Sequence, residues 1–579
     1  MKHLAVTSIL VATLAAPFAF SAAESVERGR DVGDGNVLYD SPYDPKKVDG
    51  VTFVAPTVAY PYFEIVVPLG DWTEGKGATL SKVVVNGVDS DSFYVFVDGF
   101  SHVQSGWITR DADSAPNVVI VTRSVWHNDE DTTIDIHVSA ADRSEPIVKS
   151  VNAKAPGSGG VPKGWTRYQS LVLTEPAGLA RENEPVEISL TARAEDCADI
   201  EKELRLFSVD DGGALTPVAV QTFNPRRFIG RPPGTSNPNY LQHPSQMVEA
   251  VFLASVPALA SRVYVALYGN DKPSPAPAAD TDLKVGGDFP GVVVENKYFV
   301  TDLDDSSGQV KSFRIKGRDD KPAPLLTNSL TLAAHWNPDS FSDNGKWGHT
   351  FAWNPPDDTT VTANGPIMFR ITNRGRMPDW TPQVYASVTY TFYSNSPYMK
   401  CTTVTEVRDE LNASAIRNGE LVLDTHLVDH FVWREKNGAL RTIRTAHGPN
   451  WQDEWGTRVD QDVPWLAMTN ESEGYGVGEV IASSISFNTN RGEATTHRAA
   501  FYLYYHHFWN VPLTYFTRGW VYPFSDYQRG PIVKVDPGST YVEKMAFYPV
   551  YLGDGDERYA AFDKATTQIQ QPLVQRWGR

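Results

Sequence analysis

Residues 384–393 read VYASVTYTFY, a run in which β-branched and aromatic side chains recur at almost every position. Such side chains favour extended strands. Similar runs follow at residues 399–407, 420–433, 499–509 and 541–550. No repeat of fixed period links them, which argues against a propeller or a solenoid. Residues 281–579 are therefore predicted to form two large antiparallel sheets packed face to face, in a sandwich bigger than the immunoglobulin type.

Shorter strands precede this region, and one long helix is expected near the end, at 557–570. The shorter strands are predicted at residues 81–86, 92–98, 117–122, 132–138, 168–173, 185–190, 204–209 and 262–268. The stretch KPSPAPAAD at 272–280 has the composition of a linker, so the main domain boundary is placed there. The predicted class is all-β, with an N-terminal β-domain at 24–164, a second small β-domain at 165–280 and the large sandwich at 281–579.

The composition and the first residues limit the function. The chain has 579 residues, with 52 Lys and Arg against 70 Asp and Glu, for a formal net charge of −18. A protein of this charge is not expected to coat nucleic acid or anionic lipid.

A basic start, an apolar stretch at 4–20 and small residues at 21–23 predict a signal peptide over 1–23, and hence a secreted or periplasmic protein without a membrane span. Cys197 and Cys401 could pair in such a compartment, but the sequence does not bring them together.

Motifs of several common catalytic classes are absent. The chain has no HExxH, no GxSxG and no phosphate-binding Walker loop. The glycine-rich GYGVG at 474–478 lies in a strand-like stretch, so a hairpin or bulge is expected there. DLDDSSG at 302–308 is predicted to be a turn, because its glycine comes one place too late for a calcium loop and Phe313 stands where the bidentate Glu is needed. No cofactor is predicted, and a divalent cation such as calcium stays open without a supporting motif.

Most of the 13 histidines follow residue 334 and interleave with Trp and Arg. Aromatic rings stack on sugars, Arg binds carboxylate or sulfate, and His or Tyr transfers protons, so this mixture suits an acidic polysaccharide. The candidate catalytic residues are His349 or His430 as base, Tyr505 or His507 as acid, and Arg518 as neutraliser of the substrate carboxylate. The candidate substrate-binding residues are Trp347 in a loop at 344–349, Arg374 and Arg376 in a turn-like segment at 373–376, Trp509 and Tyr522.

Strand spacing constrains which of these residues can act together. If 425–433 is a strand, His426 and His430 share a face but lie about 13 Å apart, too far to hold one metal. In FYLYYHHFW at 501–509, alternation places Tyr505 and His507 on one face, together with Trp509, and places His506 on the other face. The face with Tyr505 and His507 is slightly favoured.

Three stretches carry a resemblance to a known family. VENKYFVTDLDDSSGQVKSFRI at 294–315 resembles the opening hairpin of galactose-mutarotase-like β-supersandwich domains. LTEPAGLARENEPVEI at 173–188 and RVYVALYGN at 262–270 resemble the small β-domain before that sandwich in some secreted polysaccharide lyases, of the rhamnogalacturonan- and ulvan-lyase-like kind. The resemblance covers residues 173–550. It implies a fold and raises the prior for carbohydrate chemistry, but its motifs specify no catalyst.

The leading functional prediction is a secreted polysaccharide lyase that cleaves a uronic-acid-containing glycan, sulfated or not, by β-elimination. Ulvan and rhamnogalacturonan are the preferred substrates. A glycoside hydrolase is the enzymatic alternative; it needs two facing carboxylates, for which Asp429, Glu454, Glu471 and Glu479 are available. A non-catalytic carbohydrate-binding protein is the alternative from another class. The oligomeric state is not indicated.

Overall fold

The computed structural model describes residues 30–31, 37–38, 50–68, 79–90, 92–97, 100–104, 118–122, 124–139, 143–228, 244–317, 324–330, 332–335, 339–342, 347–349, 355–376, 384–445, 457–490, 492–494, 500–508, 511–521 and 532–578. Its regular structure is nearly all β, which confirms the predicted fold class. The chain divides into two compact units, Met1–Ala55 with Tyr62–Gly160, and Pro56–Pro61 with Val161–Arg579. The three-domain division stays a prediction.

The first unit contains two antiparallel sheets. Its strands are β1 (Arg30–Asp31), β2 (Val37–Leu38), β3 (Thr52–Val54), β4 (Glu64–Pro68), β5 (Thr79–Val85), β6 (Val88–Asp89), β7 (Ser92–Val97), β8 (Phe100–Gln104), β9 (Val118–Thr122), β10 (Asp131–Ser139) and β11 (Ile147–Lys154). One sheet has the order β1-β2-β8-β7-β9-β4-β3 and the other β11-β10-β5-β6. In β10 the side chains of Ile134, Ile136 and Val138 are buried between more exposed neighbours, which confirms the alternation expected at 132–138.

One buried carboxyl group in this unit makes its stability depend on pH. Glu64 in β4 is 5% exposed, and burial raises the pKa of its carboxyl from 4.5 to about 7. The folded state therefore keeps this proton to a higher pH than the unfolded chain does. Stability consequently falls as the pH rises from about 4.5 to about 7, and then stays lower.

We expect Glu64→Gln to raise the free energy of unfolding of the first unit at pH 8, by up to about 3 kcal/mol, because an amide has no proton to lose. The gain should shrink as the pH falls and vanish near pH 4. Denaturant titrations at several pH values measure it. Glu145→Gln, at an exposed carboxyl group of the same unit, is the control and should behave like the wild type. A gain that does not change with pH would contradict the explanation.

The second unit begins with two small antiparallel sheets. Their elements are β12 (Arg167–Thr174), β13 (Arg181–Arg193), α1 (Ile200–Glu203), β14 (Arg205–Val209), β15 (Leu215–Val218), β16 (Val220–Phe228), β17 (Ser245–Val256) and β18 (Ser261–Tyr268). The sheet orders are β13-β17-β16 and β15-β14-β18-β12, the latter extended by the last strand of the chain, Val574–Trp577. Ile188, Phe252 and Ala266 lie in the apolar core of these strands. The segment 272–280 has no helix or strand, as expected for a connection.

Two large antiparallel sheets follow, the front sheet and the back sheet. Their strands are β19 (Lys284–Asp288), β20 (Gly291–Glu295), β21 (Phe299–Leu303), β22 (Val310–Ile315), β23 (Leu325–Leu326), β24 (Ala334–His335), β25 (Asp339–Ser342), β26 (Trp347–His349), β27 (Asp358–Asn364), β28 (Met368–Arg376), β29 (Val384–Tyr393), β30 (Met399–Val407), β31 (Leu411–Asp424), β32 (His430–Arg434), β33 (Leu440–Arg444), β34 (Thr457–Asp460), β35 (Trp465–Asn470), β36 (Tyr475–Asn488), β37 (Glu493–Ala494), β38 (Ala500–Phe508), β39 (Val511–Val521), β40 (Val533–Val535) and β41 (Ser539–Tyr551). Helix α2 (Ala560–Gln570) and the strand β42 (Val574–Trp577) follow, and β42 is the strand that pairs with β12 in the small sheet. Short 3-10 turns lie at Thr425–Leu427 and Gly555–Glu557.

The order of the strands defines the two sheets. The front sheet runs β19-β20-β21-β22-β24-β31-β39-β38-β34, with β23, β25, β26 and β40 paired at its sides. The back sheet runs β27-β28-β29-β30-β41-β36-β35-β32-β33, with β37 beside β36. Phe313 and Phe516 of the front sheet share one apolar core with Tyr390, Met468 and Phe547 of the back sheet. The face of the back sheet turned to this core is its inner face. Helix α2 packs on the opposite, outer face, through Phe562.

Several predicted elements are confirmed. Strands β29 and β30 have the predicted bounds, and α2 ends where predicted but begins three residues late. Residues 471–474 form the turn between β35 and β36, with Gly474 at φ 72°, so the glycine-rich run belongs to a hairpin. In the 302–308 segment, Asp304 Oδ1 accepts hydrogen bonds from the backbone of Ser306 and Ser307, which is the geometry of a turn.

Other predictions about local structure were wrong. Residues 420–433 are not one strand, because β31 ends at Asp424, a 3-10 turn holds His426, and β32 starts at His430 in the other sheet. The spacing argument for His426 and His430 therefore fails. Residues 347–349 form the strand β26, where a loop was expected, and 373–376 are the end of the strand β28, where a turn was expected.

Neither a disulfide nor a membrane-spanning helix occurs among the described residues. Cys197 and Cys401 are both buried and both free, so they do not form a disulfide. None of the helices in the described ranges is long and apolar enough to cross a membrane.

Candidate functional site

The ten candidate site residues fall into three groups. His430, Arg518, Arg374 and Arg376 have described side chains. For Trp347, His349, Tyr505 and His507 the backbone alone is described, in β26 and in β38. In the front sheet Tyr505 pairs with Thr514, and His507 pairs with Pro512. Trp509 and Tyr522 lie outside the described residues.

Arg518, the candidate carboxylate neutraliser, lies inside the sandwich. Its side chain in β39 is 0% exposed and is paired with Glu543 of β41. Its guanidinium carbon is 4.0 Å from the centre of the Phe501 ring, so the cation is also held by an aromatic face. A substrate carboxylate would have to enter the interior and displace Glu543 to reach Arg518. Arg518 is therefore neutralised by Glu543 inside the protein and is not available to a substrate carboxylate.

A second buried carboxyl group, that of Glu479, lies near Arg518 and Glu543, and these three side chains form a buried charged layer. Glu479 of β36 is fully buried, and its oxygens have no hydrogen-bond partner in the described part of the chain. Burial, with the nearby Glu543 carboxylate, raises the pKa of Glu479 well above its ordinary value, and Arg518 only partly opposes this. Glu479 therefore holds its proton to a higher pH than an exposed glutamate does. With Glu479 neutral, the layer holds one cation and one anion, which a low-dielectric interior tolerates.

The two buried glutamates give a matched pair of predictions. Glu543→Gln leaves the buried Arg518 without its anion and should lower the free energy of unfolding by about 3–5 kcal/mol. Glu479→Gln should raise it at pH 7, because the raised carboxyl pKa makes the folded state less stable as the pH climbs above the unfolded value. Denaturant titration of both variants measures the effects. Equal losses from the two substitutions would contradict the assigned charges.

The second described grouping is the Asp429–His430 site, made by the start of β32 and the residue before it. His430 Nδ1 lies 2.8 Å from Asp429 Oδ1, and the same oxygen accepts the backbone N–H of Glu471 at 2.8 Å. Because a carboxylate can only accept, Nδ1 carries the proton, and Nε2 is left as the basic nitrogen. The side chains of His430 and Asp429 are 24% and 34% exposed, so the imidazole is both oriented and accessible.

The alternation of β32 decides which face carries the site. Phe431 and Trp433 belong to the core between the two large sheets. Val432 packs in the cluster around α2, and Arg434 bonds Asp563 of that helix. Side chains alternate along a strand, so His430 lies on the outer face of the back sheet with Val432 and Arg434. It is thus separated from Arg518, which lies on the inner side.

A cation lies next to His430 on the edge strand. In the antiparallel pair of β32 and β33, His430 is directly opposite Arg444. Opposite residues have Cβ atoms about 5 Å apart on the same face. Arg444 is exposed and has no ion-pair partner among the described residues, whereas Arg441 of the same strand is paired with Glu435 at 2.8 Å. Arg444 is therefore available to bind an anionic group of a ligand held at the imidazole.

The carboxylate of Glu471 is already saturated. Its Oε1 accepts hydrogen bonds from the hydroxyls of Thr469 at 2.6 Å and Tyr559 at 2.8 Å, and Arg558 pairs with Oε2. Burial and this neighbouring carboxylate raise the pKa of Tyr559, so its hydroxyl stays a donor. Glu471 is thus a support for the Asp429–His430 site, and its carboxylate is not free to act as an acid or base.

The two candidate arginines of β28 lie far from this site. Arg374 and Arg376 are exposed and lie near carboxylates, 3.7 Å from Asp358 and 3.4 Å from Asp357 respectively. Five strands separate β28 from β32 in the back sheet. At about 4.8 Å per step this places the strands about 29 Å apart. The described candidates therefore do not converge on one trough.

Sequence reasoning missed two parts of the site. Asp429 was considered only as a hydrolase carboxylate, and Arg444 only as one of many arginines. The dipeptide Asp429-His430 before a strand was a usable signal for an oriented imidazole. That Arg444 lies opposite His430 could not be derived without knowing the register of β32 and β33. Within the described ranges no group of three or more His, Cys, Asp or Glu residues could hold a metal ion.

Comparisons with known proteins add no family. No family model matches the chain, and no curated protein matches its sequence. Among solved structures it is similar to an α-mannosidase from Enterococcus faecalis V583, at 10% identity and TM-score 0.40, over 72% of this chain and 46% of that chain. A glycosyl hydrolase family 38 protein from Enterococcus faecalis gives 11% and 0.39, over 71% and 47%. A galactose mutarotase related enzyme from Lactobacillus acidophilus gives 9% and 0.28, over 46% and 98%.

The chain spans just under half the length of the two Enterococcus structures.

Proposed function

We propose that the protein is a carbohydrate-active enzyme, and that it is a secreted polysaccharide lyase acting on a uronic-acid-containing glycan such as ulvan or rhamnogalacturonan. The observation that carries the proposal is the accessible His430, oriented by Asp429 and placed opposite Arg444, which has no ion-pair partner in the described part of the chain. A base beside a free cation is what removal of a proton next to a carboxylate requires.

The reaction follows from these two groups. Arg444 binds the uronate carboxylate and stabilises the negative charge that develops on it. Nε2 of His430 takes the proton from the carbon α to the carboxylate. The carbon–oxygen bond at the β position then breaks, a carbon–carbon double bond forms, and the leaving oxygen receives a proton. The imidazolium of His430 can supply that proton when both groups lie on one face of the sugar.

The negative net charge of the chain does not oppose an anionic substrate. In physiological salt a charge is screened beyond about 8 Å, so a cation beside the imidazole dominates the local field. The edge strand β33 carries two arginines: Arg444 lies opposite His430, whereas Arg441 lies opposite Trp433 on the other face and is neutralised by Glu435. Arg444 is the one whose charge is available.

The test is incubation with a panel of uronate polysaccharides while ultraviolet absorbance is followed, because elimination creates a conjugated double bond. We expect activity in the wild type, and a fall of about 100-fold or more in kcat for His430→Gln. Arg444→Met should lower kcat/KM by about 100-fold, through loss of charge stabilisation. Arg441→Met, on the same edge strand, is the matched control and should retain activity.

Three outcomes would overturn the proposed reaction or the proposed site. Reducing ends that accumulate without absorbance would indicate a hydrolase. Binding to the panel without any product would indicate a carbohydrate-binding protein. Wild-type elimination that survives both His430→Gln and Arg444→Met would place the catalytic site elsewhere in the chain.

A further inference from the structure

We propose that Arg558 and Tyr559, from the segment just before α2, are positioning residues that act on His430 through Glu471 and Asp429. This inference rests on the proposed function for its kinetic consequence, but the geometry it describes exists in the free protein. It assigns the C-terminal part of the chain a role in the site that lies about 130 residues earlier in the sequence.

Arg558 and Tyr559 together hold Glu471, the first residue of the turn between β35 and β36, and we call this set of contacts the clamp. Arg558 donates from Nε to the Glu471 carboxylate and from a terminal nitrogen to the backbone carbonyl of the same residue. The Tyr559 hydroxyl adds a hydrogen bond to the carboxylate at 2.8 Å. Both ends of Glu471, side chain and peptide, are therefore fixed by neighbouring residues of one segment. A planar guanidinium with several donors suits this double contact.

The second link passes from the residue Glu471, through its backbone N–H, to the imidazole. The backbone N–H of Glu471 donates to Asp429 Oδ1 at 2.8 Å, and this oxygen accepts the Nδ1 proton of His430 at 2.8 Å. The position of the Asp429 carboxylate thus depends on Glu471, a residue that Arg558 holds by its side chain and its carbonyl. Partners of this kind fix the tautomer and the ring orientation of a functional histidine.

The clamp is distinct from the docking of the helix. Helix α2 is anchored separately by Asp563, which accepts from Arg434 at 3.0 Å and from the Trp465 indole at 2.8 Å. Phe562 also stacks on Trp465, with ring centres 5.0 Å apart. Arg434 lies on β32, the strand that carries His430, but its contact with α2 does not involve Glu471. Arg434 is therefore a matched control for Arg558.

The experiment compares Arg558→Met, Tyr559→Phe and Arg434→Met in the full-length protein. The primary measurement is the imidazole 15N spectrum of His430, assigned by the signal lost in His430→Gln, which reports the tautomer without any substrate. We expect one Nδ1-protonated tautomer in the wild type and in Arg434→Met, and a mixture of tautomers in Arg558→Met. Tyr559→Phe should show a smaller change, and Arg558→Lys should fall between Arg558→Met and the wild type.

The kinetic measurement is made with the polysaccharide that the absorbance assay identifies. Arg558→Met should lower kcat about 10- to 100-fold with KM changed by less than about twofold, because the base is misplaced while the substrate-binding cation is intact. Arg434→Met should leave both constants near the wild-type values.

Each outcome decides the inference. A single tautomer retained in Arg558→Met would overturn it, and so would equal mixing in Arg434→Met, which would assign the effect to helix docking in general. If Arg558→Met does not fold, Tyr559→Phe and Arg558→Lys carry the same comparison. If no polysaccharide is cleaved, the proposed function fails, and the spectra still decide whether the clamp sets the imidazole.

Discussion

The back sheet has two faces, and the alternation of side chains along every strand divides its residues between them. In β32, Phe431 and Trp433 are committed to the core, so His430, Val432 and Arg434 must lie on the side of α2. This constraint places the imidazole at an accessible surface. It also prevents a histidine on the outer face from meeting an arginine on the inner side, however close the two strands lie.

An arginine has a different role inside the sandwich from the one it has at the surface. Arg518 is enclosed between the sheets, where an unpaired charge is not tolerated, so it is neutralised by Glu543 and stacked on Phe501. Arg444 lies on an edge strand in contact with water, where a cation needs no partner. An arginine that recognises a substrate must be of the second kind, because its charge must still be available when the substrate arrives.

Local patterns were sufficient for much of the fold. The runs at 384–393 and 399–407 matched β29 and β30, because an unbroken series of β-branched and aromatic side chains fits a pleated sheet buried on at least one side. The prediction of one strand at 420–433 was wrong because strand-forming residues continue on both sides of the point where the chain passes from the front sheet to the back sheet. Asp424 marks that point: its carboxylate accepts from the backbone N–H of Ser329 at 2.9 Å, and the 3-10 turn follows.

The sequence alone determined the fold class, the positions of several strands, the helix near the C-terminus and the kinds of side chain available for chemistry. These depend on neighbours in the chain, and a local pattern reports them. Only the tertiary structure decided that His430 is oriented by Asp429, that Arg444 is opposite it, that Arg518 is enclosed, and that Arg558 holds the turn at Glu471. Those relations join residues that strand register and sheet order bring together, and neither register nor order is encoded in a short window of sequence.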